Sequence, residues 1–203
     1  MPRPREFDEA AALEAAIECF WQRGYEATSL RDLTSSMGLT APSLYNAFGD
    51  KEELFARALD RYLERTTRDR LRRLEETLAP KAAIHRFFAE IVEHSVSDLQ
   101  RKGCFLVNSA LEVAPHHADC RAVIAAQFGD IEAFFKRCIR KARADKTIPP
   151  HIDAADTARL LLGVLLGIRV LARSKPERDV LEGVVRPALA LLDPPRRKNR
   201  GKR

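Results

Sequence analysis

Residues 37–55 read MGLTAPSLYNAFGDKEELF, and the rest of the chain is best understood outward from them. Gly38 permits the positive φ that a sharp helix-to-helix turn requires. Thr40 is a good N-cap for the next helix, and Pro42 falls in its first turn, where a missing N–H costs nothing. Leu44 and Phe48, four apart, give that short helix one apolar stripe. Ser43, Asn46 and Ala47 then face outward, with Ala41 and Pro42 at the exposed N-terminal end. Asp50 caps a fresh helix, with Glu53 at capping-box spacing. Lys51 holds the first position of that helix, the unfavourable end of the helix dipole for a cation. A lysine there makes sense if an anion arrives from outside.

A short capped helix with small polar outward residues, followed by such a lysine, is how a helix-turn-helix meets DNA: the second helix enters the major groove by its N-terminal residues while flanking groups hold phosphates. A structural helical hairpin gives the same local pattern without DNA. Thr28-Ser29-Leu30, Gly38-Leu39-Thr40, Ser43-Leu44-Tyr45, Phe48 and Asp50-Lys51-Glu52-Glu53-Leu54-Phe55 resemble the DNA-binding region of TetR/AcrR-type transcriptional regulators, in order and without gaps over about residues 7 to 57. The resemblance lifts the DNA reading above the hairpin.

Charge alone does not carry that reading. The net charge of +6 arises from the tail 196–203, RRKNRGKR, with six basic groups, while residues 1–195 balance at 29 basic against 29 acidic. Residues 1–50 hold eight carboxylates against Arg3, Arg5, Arg23 and Arg31. Placement has to do the work: Arg3 and Arg5 in an N-terminal arm, Lys51 at the DNA-facing surface, helix 1 carboxylates turned away. The tail is expected to be disordered. No apolar run reaches membrane length, since Leu160–Ala172 is interrupted by Arg169, and MPRPREFDEA lacks a signal-peptide core, so the expected location is the cytoplasm. Cys19, Cys104, Cys120 and Cys138 are scattered and form no disulfide scaffold.

The expected fold is all-α, with about nine helices and no strand pattern or repeat. Leu13, Ile17, Phe20 and Trp21 mark the first helix up to Gly24, and Thr28 or Ser29 starts the second. A long helix from Asp50 to about Leu78 joins a helix-turn-helix domain (1–49) to a helical ligand-binding and dimerisation domain (50–195). Helices follow over 81–99, from Cys104, and through Ile124, Phe128, Ile131 and Phe135. Asp153 caps a helix that is apolar nearly all round, with Gly163 and Gly167 four apart, and a last helix runs from Val180 to Leu192 past Pro187. The last two helices present more apolar surface than one small domain covers, so pairing with a second chain is expected, and one recognition helix alone reads few bases.

Base reading falls to Ala41, Pro42, Ser43 and Asn46. The resemblance implies phosphate contacts from Thr40, Tyr45 and Lys51, and from hydroxyls and N–H groups around Thr28 and Ser29. Pro42 and Ala47 depart from the family pattern, one removing a backbone N–H and the other a larger side chain. An effector pocket is expected among Phe87, Phe88, Cys104, Phe105, Asn108, Glu112, Phe128 and Phe135, with His94 nearby. Effector binding is expected to release a palindromic operator, and repression is the commoner habit of the family. Two alternatives stay open: a thiol-based response to oxidants or electrophiles through Cys104, which follows Arg101-Lys102-Gly103 at a helix start, and a helical interaction module without DNA. No cofactor is expected, and no enzyme constellation emerges: Cys104, His116, His117 and Cys120 fit no common zinc spacing.

Overall fold

The computed structural model describes residues 7–193, so the expectations for the Arg3/Arg5 arm and the tail 196–203 lie outside the described residues. Among the described residues the chain is all-helical, with nine helices. These are α1 (Glu9–Arg23), α2 (Leu30–Met37), α3 (Ala41–Phe48) and α4, which begins as Lys51–Leu63 and continues without a break through a π-helical turn, Glu64–Arg68, into Asp69–Thr77. Then come α5 (Pro80–Ser97), α6 (Phe105–Glu112), α7 (Ala118–Ala144), α8 (Ala154–Ser174) and α9 (Arg178–Ala190). No helix among the described residues is long and apolar enough to cross a membrane.

Local chemistry sets most boundaries. The Asp8 carboxylate accepts from the N–H groups of Ala10 and Ala11, Ser29 and Asp32 form a capping box, and so do Asp50 and Glu53. Asp153 caps α8 through its carboxylate alone, which accepts from the N–H groups of Ala155 and Asp156. Each cap satisfies donors that the first helical turn leaves open. The π-turn inside α4 was not legible in the sequence.

The chain forms two compact units. One comprises the residues up to Arg70 together with Gln100–Gly129, and the other Leu71–Leu99 with the chain from Asp130 onward. In the first, α1, α2 and α4 pack about Ala16, Ile17, Phe20, Leu33, Leu44 and Phe55, all essentially buried. Phe20, Tyr25, Phe55, Tyr62 and Phe105 continue that core edge to face, which is how α6 is joined to α1 and α4. Trp21, on the apolar face that marks the first helix, is only half-buried and lies against Tyr62 at a centroid distance of 5.1 Å. In the second unit, Phe87, Phe88, Phe134 and Phe135 form a contiguous aromatic cluster. There α8 packs on α5 and α9 by Ala158, Leu161, Leu165 and Ile168. Its opposite side is uncovered: Leu160 and Val170 are 46% and 48% exposed, and a Cβ at Gly163 or Gly167 would meet nothing within 4 Å.

Candidate nucleic-acid interface

The turn between α2 and α3 is built as its sequence requires. Gly38 adopts φ 65° and ψ 30°, and the N–H groups of Gly38 and Leu39 both close onto the Thr34 carbonyl. Thr40 caps α3, its Oγ1 accepting from the Ser43 N–H at 3.3 Å and lying 2.9 Å from the Ser43 hydroxyl. Leu44 and Phe48 are buried, which turns Ala41, Pro42, Tyr45 and Asn46 to the exposed side and leaves Ser43 and Ala47 half-buried at its edge. Neither the Tyr45 hydroxyl nor the Asn46 amide has a partner among the described residues. Both therefore retain their full hydrogen-bonding capacity.

Lys51 follows directly. Its ammonium stands 4.4 Å from the centre of the Tyr25 ring, a cation–π seat that holds the charge at the start of α4 without neutralising it. Two expected contributors differ in kind. The Ser29 hydroxyl is exposed and bonded to Asp32, so it sits at the surface as a cap. Thr28, in contrast, is 1% exposed, its hydroxyl donates to the Gly24 carbonyl at 2.6 Å, and its N–H goes to Tyr25. Thr28 closes the α1–α2 turn from inside, with both its hydroxyl and its N–H engaged there.

The carboxylates of α1 are neutralised within the first unit. Glu9 pairs with Arg57, Glu14 with Arg61 at 2.7 Å and Arg65 at 2.6 Å, and Glu18 with Lys102 at 3.0 Å. Burial opposes ionisation of Glu18, but hydrogen bonds from Lys102 and Gln22 outweigh it and hold its pKa below the ordinary value. Asp8, Asp32 and Asp50 are occupied as caps. Among the described residues, six of the carboxylates in 7–50 are thus engaged as ion pairs or caps.

Three supporting residues were not singled out for this role by sequence. Arg57 donates to the Ala47 carbonyl at 2.7 Å, pairs with Glu9 and covers the Phe48 ring at 4.7 Å, tying the end of α3 to α1. Glu112, expected as an effector anchor, accepts from the Glu26 N–H at 3.0 Å. It lies so close to Gly24 (φ 85°) that a Cβ there would fall 2.8 Å from its Oε1. His117 sets Nδ1 3.0 Å from Glu52 and its ring 4.8 Å from Tyr25. From α6 onward, these two residues brace the α1–α2 turn and the start of α4. No sequence signal marks them, because the partners lie 86 and 65 positions away.

The remaining expected effector residues divide between the units. Phe87, Phe88 and Phe135 belong to the second unit's aromatic cluster, whereas Phe105 belongs to the first unit's core. Phe128 is half-buried on α7, and Asn108 Nδ2 donates to the Lys102 carbonyl at 2.8 Å. Cys104 is 9% exposed at the N-cap of α6, and the Lys102 ammonium is turned away to Glu18 and the Trp21 ring. Of the eight, only Phe88 lines the open groove of about 1410 Å³ between α5 and α9, which Val92, Arg178, Val185 and Leu189 also border.

The family model for bacterial regulatory proteins of the tetR family matches residues 12–58, the span that holds this turn, Lys51 and Arg57. A second model, the tetracyclin repressor-like C-terminal domain, matches residues 80–187. The chain belongs to the TetR family. It is accordingly a DNA-binding transcriptional regulator and no enzyme. The repressor ComR of Escherichia coli (strain K12) is 34% identical over 192 residues, 93% of this chain and 90% of ComR. The uncharacterized regulator YezE of Bacillus subtilis (strain 168) is 34% identical over 194 residues, 95% of this chain and all of YezE. Among solved structures, a cysteine-substituted variant of the TetR-family regulator CifR, complexed with a 26-bp double-stranded operator, matches with a TM-score of 0.81 at 36% identity, over 92% of this chain and 98% of that one.

Proposed function

We propose that this TetR-family protein is a repressor that binds a palindromic operator as a homodimer and is released when a small molecule enters its C-terminal half. The observation that carries the DNA part is the exposed face of α3. Ala41, Pro42, Tyr45 and Asn46 stand outward, the Tyr45 hydroxyl and Asn46 amide unspent, Lys51 lies beside them, and the nearby α1 carboxylates are already paired. Ala41 and Pro42 offer apolar contact to thymine methyls, Ser43 and Asn46 read base edges, and Thr40, Tyr45, Lys51 and the surface around Ser29 hold phosphates. The operator complex of CifR and the repressor name of ComR favour the same reading. DNA binding belongs to residues 1–49 and effector response to 50–195, and the protein works where the chromosome lies, in the cytoplasm.

Dimerisation follows from α8 and α9. Leu160, Gly163, Gly167 and Val170 form an uncovered stripe on α8, and Gly183 and Pro187 on α9, with Leu191 just past its end, are exposed likewise. Two copies of this pair make a four-helix bundle that closes with two-fold symmetry. Such a pair sets two recognition helices on half-sites about one helical turn or more apart, roughly 34 Å. The Cys104 alternative gains nothing here, since that thiol is buried and its neighbouring lysine is engaged.

The test is fluorescence anisotropy on an operator selected with the purified protein. Tyr45→Ala and Lys51→Ala should each weaken binding about tenfold or more, as loss of a charge-assisted phosphate contact implies. Unchanged affinity in both would leave a helical interaction module.

A further inference from the structure

On α7 the positions Cys120, Ile124, Gln127 and Ile131 follow one another at helical spacing on a buried stripe, and Gln127 is its only amide, 1% exposed. Its Oε1 accepts from Arg68 Nε at 3.1 Å. Arginine is a donor only, so the amide cannot be turned round: that would set N–H against N–H. Nε2 is thereby fixed on the side away from Arg68, where it is buried without an acceptor among the described residues. An apolar side chain in this stripe would avoid that cost altogether.

A second observation meets the first at Arg68. This residue closes the π-helical turn Glu64–Arg68, and single π-turns inside α-helices recur at functional sites. Its guanidinium is already shared, with Asp60 at 2.7 Å and Glu64 at 3.4 Å. A ligand carboxylate arriving here would find the cation taken and two like charges beside it. An uncharged oxygen meets no such opposition.

We infer that Gln127 is the polar anchor of the effector site and donates its free amide hydrogen to an uncharged carbonyl oxygen on a small, largely apolar ligand. This rests on the effector-released regulator described above and adds the chemical class of the effector. Arg68 acts as the positioning residue: it fixes which end of the amide faces the ligand.

The test uses the full chain with ¹⁵N in its glutamine side chains and three probes of similar size: acetophenone, cumene and benzoate. Acetophenone should shift the Gln127 side-chain amide signal and bind roughly tenfold more tightly than either other probe. Gln127→Glu keeps the acceptor for Arg68 and removes the donor, and Gln127→Leu removes both; each should abolish the preference for the ketone. An amide signal that acetophenone leaves unmoved, as an ordered water held there would produce, overturns the inference. So does equal affinity for acetophenone and cumene, or a ketone preference surviving in Gln127→Glu. Operator binding, measured without probe, separates the two layers. Its absence removes the regulator reading while the ketone preference stands or falls by itself.

Discussion

Thr28 and Ser29 are adjacent hydroxyl residues at one helix start, and the structure gives them different work. Ser29 is the exposed cap, whereas Thr28 is folded under the turn onto the Gly24 carbonyl. Their order in the sequence permits either assignment, because the difference depends on where α1 ends in space. The outcome is measurable through salt. Lys51→Ala should reduce the slope of log K against log salt by about one unit, the signature of one lost phosphate contact. Thr28→Val should leave that slope unchanged while lowering stability by about 1–3 kcal/mol, the cost of leaving the Gly24 carbonyl unsatisfied. A slope change in Thr28→Val would place its hydroxyl on DNA after all. Asn46, Tyr45 and Lys51 were legible as candidates because caps and apolar spacing fix which side of an eight-residue helix is out.

At the scale of elements, local and distant causes separate cleanly. The caps at Ser29, Thr40, Asp50 and Asp153 and the turn at Gly38 were readable, since each depends on residues within four positions. The brace from Glu112 to Gly24 and Glu26 was not, and neither was the π-turn, whose Arg68 turns to an α7 amide. The two glycines turn this into a prediction. Gly38→Ala meets only backbone strain, on the order of 1–2 kcal/mol for a left-handed residue, because the space around its Cβ is open. Gly24→Ala meets strain and the Glu112 carboxylate together, so urea unfolding should show a larger loss. Adding Glu112→Ala should recover part of it, giving non-additivity between residues far apart in sequence. Strict additivity would mean that the brace does not constrain Gly24.

For the whole molecule, titration and association are the informative responses. Arg137 hydrogen bonds hold the Glu75 carboxyl below its ordinary pKa against some burial, and Arg178 does the same for Glu93. Burial, helped by Lys81, pushes the His85 imidazole pKa down. In all three the unfolded chain binds protons at higher pH than the native one. Their stabilisation is therefore complete above the unfolded-state pKa values and is lost as pH falls, first through the imidazole range and then through the carboxylate range. Thermal melts from pH 7 to 4 should show falling Tm, with a shallower acid limb in Glu75→Gln; a Tm that rises on acidification contradicts the assignment. At the alkaline end, burial pushes the Cys120 thiol up to about 11 and Cys138 to about 12, so native thiols at both sites should resist alkylation until the protein opens.

The proposed association rests on the stripe that α8 leaves uncovered. Its apolar character was plain in the sequence, but which side the chain itself would cover was not: the structure puts Ala158, Leu161, Leu165 and Ile168 inside and Leu160 and Val170 outside. Val170→Glu should therefore spare the fold and yield a monomer in analytical ultracentrifugation, with operator affinity lost alongside.

Selection of duplexes from a random pool by the purified protein at moderate salt decides whether two recognition helices read DNA together. The expected outcome is enrichment of an inverted repeat, with half-sites about a helical turn or more apart, bound by two protomers. A pool that emerges without sequence preference, or a single half-site bound by one protomer, contradicts it.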